Sequence, residues 1–498
     1  MTVADTQIAP NRGQSLGRIS RWRQAWLTID QNTEAQNWAA SGFGKLAVHM
    51  VVVLAMALSF QFSTAALVLI SLTLFAIALM PAWRIPIMVG SSLFYLFLRP
   101  FRIDGWAELV AAKSGLMPVG AALSNHALQF GGVFVVVALA VLFLGRQRLH
   151  PNMTWAKRPV LSLMAIWSVL VVAAMAVPAS SMASAMLWSV VGVFISCFWF
   201  LAYAALDQKS KDPTPALARA GFLRPFWGGS ATPIGKSFGY LNKFDAENDQ
   251  ELAITRLKGM KLAVWALILT GAVQLVDMLV ADAMAVPTLH AAVLAHAAGN
   301  GFANVTNWTS LIANYFTDLL VIAVWGHFIV AIIRMVGYRI PRNTRNPLAA
   351  RTLADFWNRY FFYFKELLVD FFFYPAFLRY FKKNPKLRIA FATFCAAGLG
   401  NFLYHFTRET YVFAALPIGE ALVIFQSAVF YSLALAAGLI ISQWRGAKPK
   451  PEHGFLRYEV LPRLNVFAFF CFLKIFDDIT GEGTLAERAS FALSLFGL

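Results

Sequence analysis

The sequence predicts an all-α, multi-pass integral membrane protein with roughly 11–12 transmembrane or membrane-embedded helices. Three observations carry this. Of 498 residues, 59% are hydrophobic and 13% charged, against roughly 25% charge in a soluble domain. Mean hydropathy is +0.61. Uncharged runs of about 20 residues recur along the chain, which suits helices crossing a roughly 30 Å hydrocarbon core rather than alternating barrel strands. The net charge is +17. In a soluble chain that would point to nucleic acid. Here the basic residues sit at the ends of apolar runs, where orientation and anionic headgroups account for them. Membrane lipids are therefore expected partners, and nucleic acid is not.

Residues 1–45 form a polar, mildly basic segment expected in the cytoplasm. No apolar core follows the start closely enough for a cleavable signal. Trp22 and Trp26, at i,i+4, suit either an interfacial helix or a disordered tail. Residues 46–206 hold the first membrane helices. Leu46–Met80 would measure roughly 52 Å as one helix, too long for the hydrocarbon core. Two short helices meeting near Gln61–Thr64 are expected instead. Ile85–Leu98, Ala127–Gly145, Pro159–Val177 and Ala183–Leu206 follow as spans.

Residues 207–259 read as a basic cytoplasmic loop. Its Gly-Gly-Ser and Gly235-Lys236 resemble parts of phosphate-binding loops, but the Walker spacing is absent. Residues 260–476 form the core, with spans at Lys261–Val280, Leu311–Ile333, Leu387–Phe406, Ala414–Ser442 and Val460–Phe476. His290 and His296 are badly spaced for a helical metal pair and have no carboxylate nearby in sequence, so no metal is expected. Cys197, Cys395 and Cys471 read as buried free thiols. Residues 477–498 are a tail with a weak amphipathic helix. Basic clusters place 1–45, 146–158, 207–259, 334–351, 376–388 and 445–458 on one side, the cytoplasmic one. Residues 352–386 then enter and leave on the same side, as a helix that dips in without spanning. Such backbone needs protein or water around it.

That dipping stretch carries the chemistry. Read as one helix from Asp355 to Tyr374, it puts Asp355, Arg359, Tyr363, Glu366 and Asp370 within roughly 80° of one another. A charge in hydrocarbon costs roughly 2.5–3.5 kcal/mol or more, so the stripe must face a polar cavity, protein or the interface. His405 closes the next apolar span, with Asn401 one helical turn earlier and Gly398 and Gly400 behind it.

Phe356, Trp357, Arg359, Asp370, the aromatic run and Pro375, followed by His405 at the end of a membrane span, resemble the membrane-bound O-acyltransferase (MBOAT) family. The likeness is to the bacterial branch that acylates cell-surface polymers. That branch carries a segment close to F-W-R-R-W-H, then D-Y-L-Y-I-P, then a membrane histidine. The likeness covers about 60 of 498 residues. Three positions depart from it. Phe361 stands where the family has His or Asn, Tyr360 where it has Trp, and the histidine lies in Leu-Tyr-His-Phe.

The resemblance implies a central tunnel and acyl transfer, O-acetylation for example, in a bacterial inner membrane. The donor would be a cytoplasmic thioester, an acyl-CoA or an acyl-carrier protein. The acceptor would be a hydroxyl of a surface polymer, lipid or small molecule, with a separate extracytoplasmic or carrier protein as a further candidate partner. No tightly bound cofactor is implied. His405 would be the general base, with Asn401 orienting it or stabilising the oxyanion. Arg359, Trp357, Asn358, Tyr363, Glu366 and Asp370 are the expected substrate-side residues. Asn358 and Tyr363 are expected to close the region that Phe361 leaves, and Glu366 and Asp370 to pair with Arg359 or Lys365. Two other classes compete. A transporter is suggested by the intramembrane charges Asp318, Glu366, Asp370 and Glu420, though no repeat is visible. A non-catalytic scaffold is suggested by Phe361.

Overall fold

The computed structural model describes residues 18–103, 105–114, 118–207, 216–228, 236–445, 450–477 and 482–498. These residues are mostly helical, with no strand among them. Nine of the described helices are long and apolar enough to cross a membrane. Thr64–Leu79 is a shorter apolar helix, and a broken stretch at 353–379 and the apolar Leu461–Leu473 pack with the bundle. The chain is an all-α, multi-pass membrane protein.

The expected break in the first long apolar run is present. Gly42–Ser59 ends at Phe60, in the left-handed region at φ 54°, and Thr64–Leu79 starts on the side chain of Ser63, which accepts from the Ala66 amide. Other boundaries move. The basic loop ends early, because Asn248 caps a helix that begins at Asp249 and runs into a π-turn ending at Ala283. The expected 127–145 span belongs to a longer helix, Pro118–Leu149. The 414–442 span is interrupted, with Ile418–Ile424 and Gln426–Arg445 as separate helices.

Two apolar cores hold the bundle. One is built around Met182–Asp207, the most enclosed span, and takes in Phe356, Phe364, Leu367 and Tyr404. The other joins the first helices to the closely paired Asp249–Ala283 and Asn304–Val336, and takes in Tyr363. The stretch 353–368 thus bridges the cores, with Phe364 in one and Tyr363 in the other.

That stretch is not the single helix expected. Thr352 caps Leu353–Tyr360 by accepting from the Asp355 amide. The helix then breaks at Phe361 (φ −139°, ψ 66°), resumes as Phe362–Leu368, and passes through a π-turn, Val369–Phe373. The physical reason lies in the preceding loop. The Phe362 amide donates to the Asn343 carbonyl (3.0 Å) and the Tyr363 amide to Asn343 Oδ1 (3.2 Å). The Thr344 hydroxyl donates to the Tyr360 carbonyl (2.9 Å). These bonds replace the i→i−4 ladder and satisfy groups that a buried break would leave unpaired. Asn343 fits because a Cβ on Gly326 would lie 2.7 Å from its amide nitrogen. The expected stripe is therefore divided at Phe361.

Candidate functional site

The division produces two buried polar centres. The first gathers around Lys236. Its ammonium lies 3.1 Å from Glu366 and 2.9 Å from Asp370, and Lys365 adds a second contact to Glu366 at 2.5 Å. The Lys236 nitrogen also sits 4.7 Å from the Tyr240 ring centre, and Tyr203 donates to Asp370 at 3.4 Å. Burial pushes the Tyr240 phenol up, and the Glu366 and Asp370 charges add to that push against the opposing hydrogen bond with Tyr363, so Tyr240 stays protonated. Lys236 is thus a counter-ion for two carboxylates inside the protein. A lone charge there would be costly, and this pairing offsets the desolvation.

The second centre is built on Pro385–Arg408. Asn384 caps this helix by accepting from the Leu387 amide, with Pro385 in the first turn. A π-turn, Phe394–Gly400, then precedes Asn401. Such turns rotate the next helical residues about the axis and concentrate at functional sites. Gly400 is needed here, since a Cβ would lie 2.6 Å from the Phe372 ring.

Asn401 is 1% exposed, yet neither end of its amide has a hydrogen-bond partner. His405, one turn on, also has a buried Nδ1 without a partner. The His405 residue as a whole is half-buried.

Charged groups act electrostatically on the His405 ring, Arg408 from its own helix and the others from distant elements. Asp477, Arg408, Arg102 and Lys474 are its electrostatic neighbours. Lys474 pairs with Asp318 and, at 2.5 Å, with Asp477. Tyr360 and Tyr431 stand beside this trio. Arg102 donates to the Tyr404 hydroxyl at 2.7 Å, and the Tyr404 ring packs 4.7 Å from Phe364 and 5.6 Å from Trp199. An aromatic wall thus runs from Trp357 through Phe364 to Tyr404 beside His405.

The structure brings His405 and Asn401 together, and Glu366 and Asp370 together. It does not bring Arg359 to either centre: Arg359 pairs with Asp355 at 2.8 Å, across the break from Glu366. Trp357 is buried with its Nε1 unpartnered. Asn358 points outward. Tyr363 is fully buried and donates to the Pro341 carbonyl at 2.8 Å. Tyr360, rather than Asn358 or Tyr363, reaches the charged trio. Phe361 packs 5.3 Å from Phe364.

Tyr203, Lys474, Asp477, Tyr431 and Arg102 were not singled out from sequence, and Lys236 and Tyr360 were noted there only for a loop likeness and a departure from the family pattern, not as members of these centres. Asp477, from the end of the last apolar helix, acts electrostatically on His405 although it is remote in sequence. His290 also gains a carboxylate, Glu482 at 2.7 Å, and His296 meets Ser490 at 3.1 Å. These contacts dock the terminal segment. Cys197 and Cys471 are buried free thiols, while Cys395 is half-buried. Among the described residues no group of three or more His, Cys, Asp or Glu is arranged to hold a metal. Of the Gly-Gly-Ser to Gly235 run, residues 229–235 lie outside the described residues. No protein-family model matches the chain, and no curated protein matches it.

Proposed function

We propose that this protein is a membrane-embedded O-acyltransferase with His405 as its general base. The observation that carries the reading is the Asn401–His405 pair. Both have buried, hydrogen-bond-starved atoms. An orphaned buried polar group costs about 1–3 kcal/mol, and such groups are rare without a ligand, water or catalytic role to explain them.

The chemistry is built from those atoms. A hydroxyl oxygen attacks the thioester carbonyl while its proton passes to His405 Nε2. The C–S bond then breaks, and the proton moves to the departing thiolate. Nδ1–H would donate to Asn401 Oδ1 after a small rotation, since both are unpaired one turn apart. Arg102, which acts electrostatically on His405, would favour the developing oxyanion. With the basic segments cytoplasmic, Lys236, Glu366 and Asp370 lie towards the donor side, and Asp318, Lys474 and Asp477 towards the acceptor side. The donor would be an acyl-CoA or carrier-protein thioester, and the acceptor a hydroxyl on a surface polymer, lipid or small molecule. A bacterial inner membrane suits both.

The test uses proteoliposomes, labelled acetyl-CoA and an extracted polysaccharide acceptor. Hydroxylamine-labile label on the acceptor is expected, and His405→Ala and His405→Gln should each lower it roughly 10²–10⁴-fold. Full transfer by both variants would overturn the reading. The Asp318–Lys474–Asp477 network is the feature that favours a transporter instead. That reading requires solute uptake into the same vesicles without ester formation.

A further inference from the structure

A groove of about 660 Å³ runs between the helices Pro118–Leu149 and Pro159–Ala176, lined by none of the residues that surround His405. Leu139, Leu142 and Phe143 line one wall, Ala165 and Ile166 the other, and Phe194 and Leu201 form the floor. Arg146 and His150 close one end. The groove is apolar along its length and basic at that end. Leu142 is 67% exposed, so the groove opens outward rather than into the bundle.

Three observations select the occupant. The stretch from Leu139 to Arg146 covers about 10 Å of helix, within half of a roughly 30 Å hydrocarbon core. A chain lying there would begin at headgroup level and end within one leaflet. The charge is one-sided: between Glu108 and Asp207 the sequence has no Asp or Glu, while Arg146, Arg148 and Arg158 flank the closed end. The basic end is also held in place. The buried Gln147 amide donates to the Ala156 carbonyl (2.9 Å) and the Ala205 carbonyl (3.1 Å), tying the connector to two helices. Trp155 packs 5.8 Å from Phe143 at the same joint, where an amphipathic ring suits the interface. Exposed basic side chains on an anchored joint, at the end of an interhelical apolar groove, match an anionic phospholipid.

We propose that this groove is a binding site for one anionic phospholipid, with an acyl chain against Leu139, Ala165 and Phe194 and the phosphate at Arg146 and His150. The site is separate from the acyl-transfer centre and does not depend on it.

Native mass spectrometry of the full chain released from detergent, titrated with dioleoylphosphatidylglycerol or dioleoylphosphatidylcholine, tests this. One phosphatidylglycerol should be retained in preference to phosphatidylcholine. Arg146→Gln should weaken that adduct roughly fivefold. Ala165→Trp, which fills the groove and leaves every charge in place, should weaken it as well. Equal retention of the two lipids would overturn the proposal, as would no effect of either variant. Displacement of the lipid by inorganic phosphate alone would reduce the site to an anion pocket. A dimer that excludes lipid would give the groove to a second copy of the chain.

Discussion

Asn401 combines two properties that rarely coexist: it is almost fully buried, and both its amide atoms lack partners. If it is held for function, its removal should separate stability from activity. Asn401→Ala relieves orphaned groups worth about 1–3 kcal/mol, so unfolding temperature should stay level or rise. Transfer of label from acetyl-CoA should nevertheless fall. A variant that is both less stable and fully active would show that the amide is structural. The Lys474 trio makes the opposite case. Lys474→Met strips the cation from two carboxylates and should destabilise by about 3–5 kcal/mol, read as a lower midpoint in detergent. Asp318→Asn should cost less, because Asp477 still holds the lysine at 2.5 Å.

At the scale of the element, the break at Phe361 decides which residues meet. Asn343 imposes it from the loop before, and Gly326 makes room for Asn343. Asn343→Ala should leave the Tyr363 amide unpaired in the core and cost about 1–3 kcal/mol by thermal unfolding. Gly326→Leu should do at least as much harm through overpacking. A pair of variants with no loss would mean that the break is intrinsic to the aromatic segment. The same contact explains why the break was illegible in the sequence. The spans could be read because apolar length is a local property, and the break at Gln61–Thr64 because a helix of 46–80 would overrun the bilayer. The division of the polar stripe could not, because its cause sits on Asn343 and Gly326, outside the segment it alters. The partners of Glu366 and Asp370 were hidden in the same way: Lys236 lies in a loop well before them. His405 and Asn401 were legible, being one turn apart in a single apolar helix. Asp477 was not, since only the packing of the last apolar helix carries it there.

For the whole molecule, the proposed acyl transfer needs the two polar centres to serve opposite faces of the membrane, so orientation is the quantity to measure. The basic connectors 146–158, 207–248 and 337–352 should share the cytoplasmic face, as positive residues near span ends do. Lys243 and Asn300 are both exposed, and the one long apolar helix between them is Asp249–Ala283. A crossing by that helix would put them on opposite faces. With Cys197, Cys395 and Cys471 replaced by alanine, Lys243→Cys should react with a membrane-impermeant maleimide only after cells are opened. Asn300→Cys should react in intact cells. The reverse pattern would invert the protein and put the Lys236 centre on the outside, where a cytoplasmic thioester does not reach it, and the acyltransferase reading would lose its donor side. Labelling of both in intact cells would mean that Asp249–Ala283 does not cross, and the arrangement of paired spans around it would have to be abandoned.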